Sequence, residues 1–162
     1  MCDRNLKKLA KILITKNLTI ATAESCTGGL LASRLTDVSG SSSFLLESHV
    51  VYANSAKNKY LNVSNEILNT KGAVSEECAR AMAEGLTKLA NCDIALCTTG
   101  IAGPTGGTKE KPVGLVYISC NFEGKTIVEK YILPKFLPRK LLKFIFSEKA
   151  IELANKMISA KN

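Results

Sequence analysis

Histidine occurs once among these 162 residues, at His49, and tryptophan is absent. The six cysteines, Cys2, Cys26, Cys78, Cys92, Cys97 and Cys120, are scattered, with no Cys-x-x-Cys pair among them. The usual Cys/His zinc spacings therefore cannot be assembled, and the cysteines read as reduced thiols serving as small buried apolar residues. Aromatic residues make up 6% of the chain and none falls in a base-stacking pattern, which argues against nucleic-acid binding. No apolar run approaches the roughly 20 residues that cross a bilayer. The opening MCDRNLKKLAKILITK alternates charge with apolar residues and has no secretory core or cleavage site. The expected setting is cytoplasmic, with no membrane partner.

Hydrophobic residues make up 46% of the chain, enough for a real core, and the length fits a single domain over residues 1–162. Lys and Arg number 22 against 14 Asp and Glu, a net charge of +8 that favours phosphorylated ligands. The densest basic patch, PKFLPRKLLKF, carries apolar residues at helical spacing and reads as a solvated helix face.

Leu6, Leu9, Ala10 and Leu13 fall at i, i+3, i+4 and i+7, which predicts a helix over 3–16 packed on a sheet. A buried strand is expected over 18–23, then a helix through about Leu35 and a second strand from Phe44 to Ala53. Asn54 is placed to cap a short helix containing Lys57, and a short helical piece is expected between Asn62 and Gly72. Ser75 before Glu76 and Glu77 signals a helix start, with Cys78, Ala79, Met82, Ala83, Leu86 and Leu89 as its buried stripe. Ile94 to Thr99 reads as a strand, and two more, GLVYISCNF and TIVEKYIL, form a hairpin around Glu123, Gly124 and Lys125. From about Pro138 a last helix aligns Leu142, Phe146, Ala150, Leu153 and Met157. This order predicts an α/β fold, a three-layer α/β/α sandwich with a mixed, mostly parallel sheet.

Two segments follow strands, where α/β folds collect ligands: ESCTGG (24–29) and TTGIAGPTGG (98–107). In the first, Ser25 stands at a strand end beside a helix start, where free N–H groups and the helix dipole favour a phosphate or an oxyanion. Ser, Thr and Gly also cap helices and build turns, so the motif gains meaning only from its company. The second segment lacks the Gly-Lys-Ser/Thr ending and following helix of a P-loop. A serine nucleophile needs a base, and two readings are open: His49 in a Ser/His/Asp triad, or a desolvated neutral lysine such as Lys57, five positions after Tyr52. Cys26 is a second-choice nucleophile.

Three segments in this order, AESCTGGLLASRLTDVSGSS, VVYANSAKNKYLNV and TTGIAGPTGGTKEKPVGLVYI, resemble the C-terminal domain of the CinA family, a domain that also occurs as the stand-alone nicotinamide-mononucleotide deamidase PncC. GAVSEECARAMAEG between them fits the same pattern, so the likeness covers roughly residues 5–122. The larger CinA proteins carry an additional N-terminal domain that these residues do not include. The resemblance implies an amidohydrolase that converts nicotinamide mononucleotide to nicotinate mononucleotide and ammonia, with neither metal nor redox cofactor. Carried across, it makes Ser25 the nucleophile, Lys57 the base and Tyr52 a residue that relays or orients the proton. Main-chain N–H groups between Ser25 and Gly29 would meet the oxyanion. Glu24, Thr27, Gly28, Gly29, Gly103, Thr105, Gly106, Gly107 and Arg139 are the expected substrate contacts. The family's Arg-x-x-Val-Arg stretch reads here Arg139, Lys140, Leu141, Leu142, Lys143, which keeps the second charge and loses its planar fork. The other reading is a weakly or non-catalytic nucleotide-binding module tied to competence or DNA damage. Self-association is compatible with the resemblance, though no segment marks an interface.

Overall fold

The computed structural model describes residues 3–160; Cys2, read as a reduced thiol, lies outside them. Helix α1 (Arg4–Lys16) starts where the Asp3 carboxylate accepts the Leu6 N–H at 3.1 Å and ends at Asn17 in the left-handed region. Strand β1 (Ile20–Glu24) is buried along its whole length and leads through a tight turn to α2 (Leu30–Thr36). A single 3-10 turn precedes β2 (Leu45–Val50), followed by α3 (Asn54–Leu61), α4 (Asn65–Thr70) and α5 (Glu76–Ala90). Then come β3 (Ile94–Gly100), β4 (Leu115–Phe122), β5 (Lys125–Ile132) and α6 (Arg139–Ser159). Among the described residues no helix is long and apolar enough to cross a membrane.

The five strands lie in the order β2-β1-β3-β4-β5. β1 is parallel to both neighbours, and the last two pairings are antiparallel, so four of the five strands point the same way. Ile20, Ile94, Leu96, Val116, Ile118 and Cys120 face α1, α2 and α6. The other face presents the small residues Ala21, Ala23, Ala95 and Cys97, and the bulk there comes from Met82 and Leu86 of α5 and Leu61 of α3. The three-layer sandwich and its mixed sheet are as the element order predicts. Cys26, Cys78, Cys92, Cys97 and Cys120 are buried free thiols.

Four local expectations need correction. Leu89 is 46% exposed, so the fully buried stripe of α5 ends at Leu86. Asn54 is the first residue of α3 and the extended Ala53 precedes it as the cap, without a side-chain bond. Strand β2 stops at Val50 because the carbonyls of Val51 and Tyr52 turn away to bind the Lys57 amine. The hairpin turn has two residues, Glu123 and Gly124 at φ 50° and 76°, and Lys125 already pairs with Phe122.

Arg34 ties α2 to the first and last helices. Its guanidinium is buried, pairs with Asp3 and with Glu148 Oε2 at 2.5 Å, donates to Ser147 Oγ at 2.6 Å and stacks 4.4 Å above the Phe144 ring. This clasp fixes the start of α6 relative to the turn that opens α2. A second tight contact joins α5 to α3: a Cβ at Gly85 would lie 1.9 Å from the Leu61 carbonyl oxygen. Gly85→Ala should therefore lower stability by about 1–3 kcal/mol through overpacking, although alanine normally gains about 1 kcal/mol over glycine inside a helix. Urea denaturation of the two forms would read the sign, and a stabilised variant would contradict this packing.

Candidate active site

β1 delivers Ser25 to the end of the sheet, where its N–H donates to the Thr98 carbonyl of β3 at 3.0 Å. Lys57 of α3 reaches the same point from the α5 side of the sheet. Its amine lies 3.1 Å from Ser25 Oγ, 2.8 Å from the Val51 carbonyl and 3.2 Å from the Tyr52 carbonyl. The Lys57 side chain is 1% exposed, and among the described residues it has no carboxylate partner. Burial pushes its pKa below the ordinary lysine value, since desolvation disfavours the ammonium; the neighbouring thiols of Cys78 and Cys26 oppose this. Nζ thus has three acceptors within reach, the two carbonyls and Ser25 Oγ; once the amine is neutral, its two N–H bonds can serve the carbonyls and its lone pair can face the Ser25 hydroxyl proton.

The turn after Ser25 is closed by Gly28 and Gly29 at φ +60° and +93°, a conformation that L side chains rarely adopt. It folds the first N–H groups of α2 back onto Glu24. One carboxylate oxygen accepts from Gly29 and Leu31 at 3.0 Å each, and the other accepts from Ala32 at 2.8 Å. Glu24 is 1% exposed, so this helix terminus is filled by the protein's own anion and is not open to a substrate phosphate. Thr27 is also turned inward, fully buried with its hydroxyl 2.7 Å from that of Thr98. The side chains of both residues are thus engaged within the protein. Gly28 N–H donates to the Ser25 carbonyl at 3.2 Å, so the amides of Ser25, Gly28 and Gly29 are engaged, whereas those of Cys26 and Thr27 have no main-chain acceptor among the described residues and the Cys26 N–H faces its own thiol. The Cys26 thiol is buried and its pKa is pushed up to about 12, chiefly by desolvation, which disfavours the thiolate that a cysteine nucleophile needs.

Two cations of α6 frame the open side. Arg139 donates to the Gly103 carbonyl at 2.5 Å and to the Tyr52 hydroxyl at 3.1 Å. The Lys143 ammonium stands 3.5 Å from where a Gly28 Cβ would be. Tyr52 is 61% exposed; its carbonyl serves Lys57 while its phenol meets Arg139. The Gly-rich loop is attached through Gly103, which is buried at φ +65° with Val113 directly behind it. Gly107 also packs on Val113, whereas Thr105 and Gly106 form an exposed tip with open space around Gly106. The triad reading loses its base: His49 Nε2 sits 3.1 Å from Glu47 Oε1 on β2, and the partner of Ser25 is Lys57. The contributions of Thr98, Val51 and Tyr52 made through main-chain carbonyls carry no side-chain signal, so sequence reasoning misses them.

The profile of the CinA C-terminal domain matches residues 3–158. A CinA-like protein of Syntrophus aciditrophicus is 45% identical over 152 residues, 94% of this chain and 36% of that protein. One from Kosmotoga olearia is 53% identical over 129 residues, 79% of this chain and 31% of its own length. The chain thus spans about a third of the length of the curated relatives it matches. Among solved structures, the competence/damage inducible protein CihA from Agrobacterium tumefaciens superposes with a TM-score of 0.88 at 36% identity, covering 98% of this chain and 96% of that one. The competence damage-inducible protein A from Klebsiella pneumoniae gives 0.92 at 30% identity, covering 97% and 96%. On the profile match and these identities together, the chain belongs to the CinA C-terminal domain family.

Proposed function

We propose that this chain hydrolyses the carboxamide of nicotinamide mononucleotide, releasing ammonia and nicotinate mononucleotide. The observation that carries the reading is the buried Lys57 amine 3.1 Å from Ser25 Oγ, with its N–H bonds taken by two carbonyls. Ser25 Oγ attacks the carboxamide carbon as Lys57 takes the hydroxyl proton. The oxyanion is met by the main-chain amides of the turn after Ser25, those of Cys26 and Thr27. Lys57 then gives the proton to the departing nitrogen, ammonia leaves, and a water activated by the same amine cleaves the acyl-serine ester.

The nucleotide's phosphate belongs with Arg139 and Lys143, since Glu24 occupies the α2 terminus. The CinA membership and this pair of cations support a mononucleotide over a simple amide. Arg139→Ala should raise KM by roughly tenfold, the loss of one charge-assisted contact, with a smaller change in kcat. Arg139→Lys should recover part of this, because a point charge replaces a planar fork. Steady-state kinetics would show it, and an unchanged KM would remove Arg139 from the phosphate site. The reading itself is tested by ammonia release from nicotinamide mononucleotide, with the product identified by mass. Absence of turnover by folded protein that the ligand nonetheless stabilises thermally would put the binding-module reading in its place.

A further inference from the structure

Three successive residues of the turn after β1 are held from one position on β3. The Thr98 carbonyl accepts the Ser25 N–H at 3.0 Å, and the Thr98 hydroxyl lies 2.7 Å from that of Thr27. The same hydroxyl is a hydrogen-bond partner of the Cys26 thiol. Thr98 pairs with Glu24 in the register of β1 and β3, so the turn begins level with it, and both threonines are fully buried.

This grip comes from one side of the sheet. Leu96 and Cys26 pack in the cluster beneath α2 and α6 and Cys97 in the cluster on the other face, so strand alternation puts the Thr98 side chain on the α2 side. Lys57 approaches Ser25 from the α5 side. One face of the turn therefore meets the amine and the opposite face meets Thr98. Two hydroxyls 2.7 Å apart are closer than two methyl groups can come, since carbons rest about 3.5–4.0 Å apart. The bond thus draws Thr27, and with it the Cys26 and Thr27 amides, about 1 Å nearer to β3 than apolar packing alone would. Oxyanion donors act only when aimed at the place the anion will occupy.

We propose that Thr98 is the positioning residue of the oxyanion turn: its hydroxyl, through Thr27, fixes where the Cys26 and Thr27 amides point and takes no part in proton transfer. The inference rests on the deamidase reading for its substrate and on the contacts of Thr98 for its residue.

The test is steady-state kinetics with nicotinamide mononucleotide on Thr98→Val, Thr98→Ser and the double variant Thr27→Val with Thr98→Val, each accompanied by urea denaturation. Thr98→Val keeps the shape but strands the Thr27 hydroxyl in the interior, so it should lose stability and lower kcat by about ten- to a hundredfold, the scale of a misplacement near 1 Å. KM should stay within about twofold, because Arg139 and Lys143 act from α6. The midpoint of the pH–rate profile should not move, because Lys57 keeps its contacts. Thr98→Ser retains the hydroxyl and should recover most of kcat. The double variant separates positioning from a merely structural role, and it remains readable if Thr98→Val fails to fold. Two facing methyls leave no hydroxyl unpartnered, so stability should return, while kcat should stay low because the spacing has become that of carbon. A double variant that regains kcat together with stability overturns the proposal, as does a Thr98→Val enzyme with wild-type kcat. Labelling of Ser25 by a fluorophosphonate, in which Oγ attacks phosphorus and fluoride leaves, sets a phosphonyl oxygen where the oxyanion would sit and needs no nucleotide. Should wild type label at Ser25 yet release no ammonia, the deamidase reading falls alone: slower labelling of the double variant still upholds Thr98, and equal labelling overturns it.

Discussion

Ser25→Ala should reduce ammonia release from nicotinamide mononucleotide by roughly a thousandfold or more while leaving the protein folded and able to bind the nucleotide. No neighbouring group can take over. The adjacent Cys26 is buried, and desolvation pushes its thiol pKa up to about 12, away from the thiolate. The hydroxyl is a small part of the packing, and Lys57 keeps both of its carbonyl contacts when it is gone. Stability should therefore shift by no more than about 1 kcal/mol, within the range of substitutions that leave no large cavity. Arg139 and Lys143 are untouched, so calorimetric titration should find affinity for the substrate largely retained. Residual turnover near the wild-type rate would displace Ser25 as nucleophile. Loss of binding together with turnover would mean that the hydroxyl serves the substrate and not the bond that breaks.

The division of labour at this site follows from how the sheet end is built. β1 fixes Ser25 through the Thr98 carbonyl, and Glu24 pins the start of α2, so the proposed nucleophile sits on a turn held from both sides. The Arg34 clasp sets α6 against α2, and through it the two cations relative to that turn. An isolated negative charge next to a nucleophile would ordinarily oppose anion formation. Here the Glu24 carboxylate is neutralised locally by three N–H donors and the dipole of the helix it caps. In the proposed reaction that leaves the positive potential of α6 to act on the nucleotide.

Much of this was legible in the residues. The period of Leu6, Leu9, Ala10 and Leu13, the Ser75 helix start and the alternation of strand and helix all report burial, and burial organises the fold. The pairing of Ser25 with Lys57, 32 positions apart, came from a family resemblance and from the need for a base, since no local pattern links them. Glu24 was not legible as a helix cap, because a cap normally precedes its helix directly and this one acts across five residues, through two glycines with positive φ. Tyr52 reads as a phenol in sequence, yet the group it gives Lys57 is a carbonyl that every residue type has. Its side chain is directed to Arg139, a contact 87 positions away that only tertiary structure creates.

Lys57→Arg offers the sharpest separation between a base and a mere positive charge. Arginine keeps the cation and reaches as far, but its guanidinium does not lose a proton in proteins, so it cannot accept one from Ser25. A loss of about a hundred- to ten-thousandfold in kcat is expected, the usual range for a general base. Lys57→Met should be equally inactive, whereas a residue needed only for charge would be partly replaced by arginine. The pH dependence supplies a second reading of the same group. Burial lowers the pKa of Lys57, and the active form is the neutral amine, so wild-type activity should rise with pH through that lowered value and then level off. Stability runs in the same direction. Between the lowered folded value and the ordinary lysine value of 10.5 the unfolded chain binds the extra proton, so this residue's contribution to stability increases as pH rises across that window and is lost as pH falls through it. Lys57→Met removes the titrating group and should flatten that slope. A wild-type rate that is independent of pH up to the ordinary lysine range, or a Lys57→Arg enzyme with substantial kcat, would take the proton-accepting role away from Lys57 and leave it as a buried strut for the Val51 and Tyr52 carbonyls.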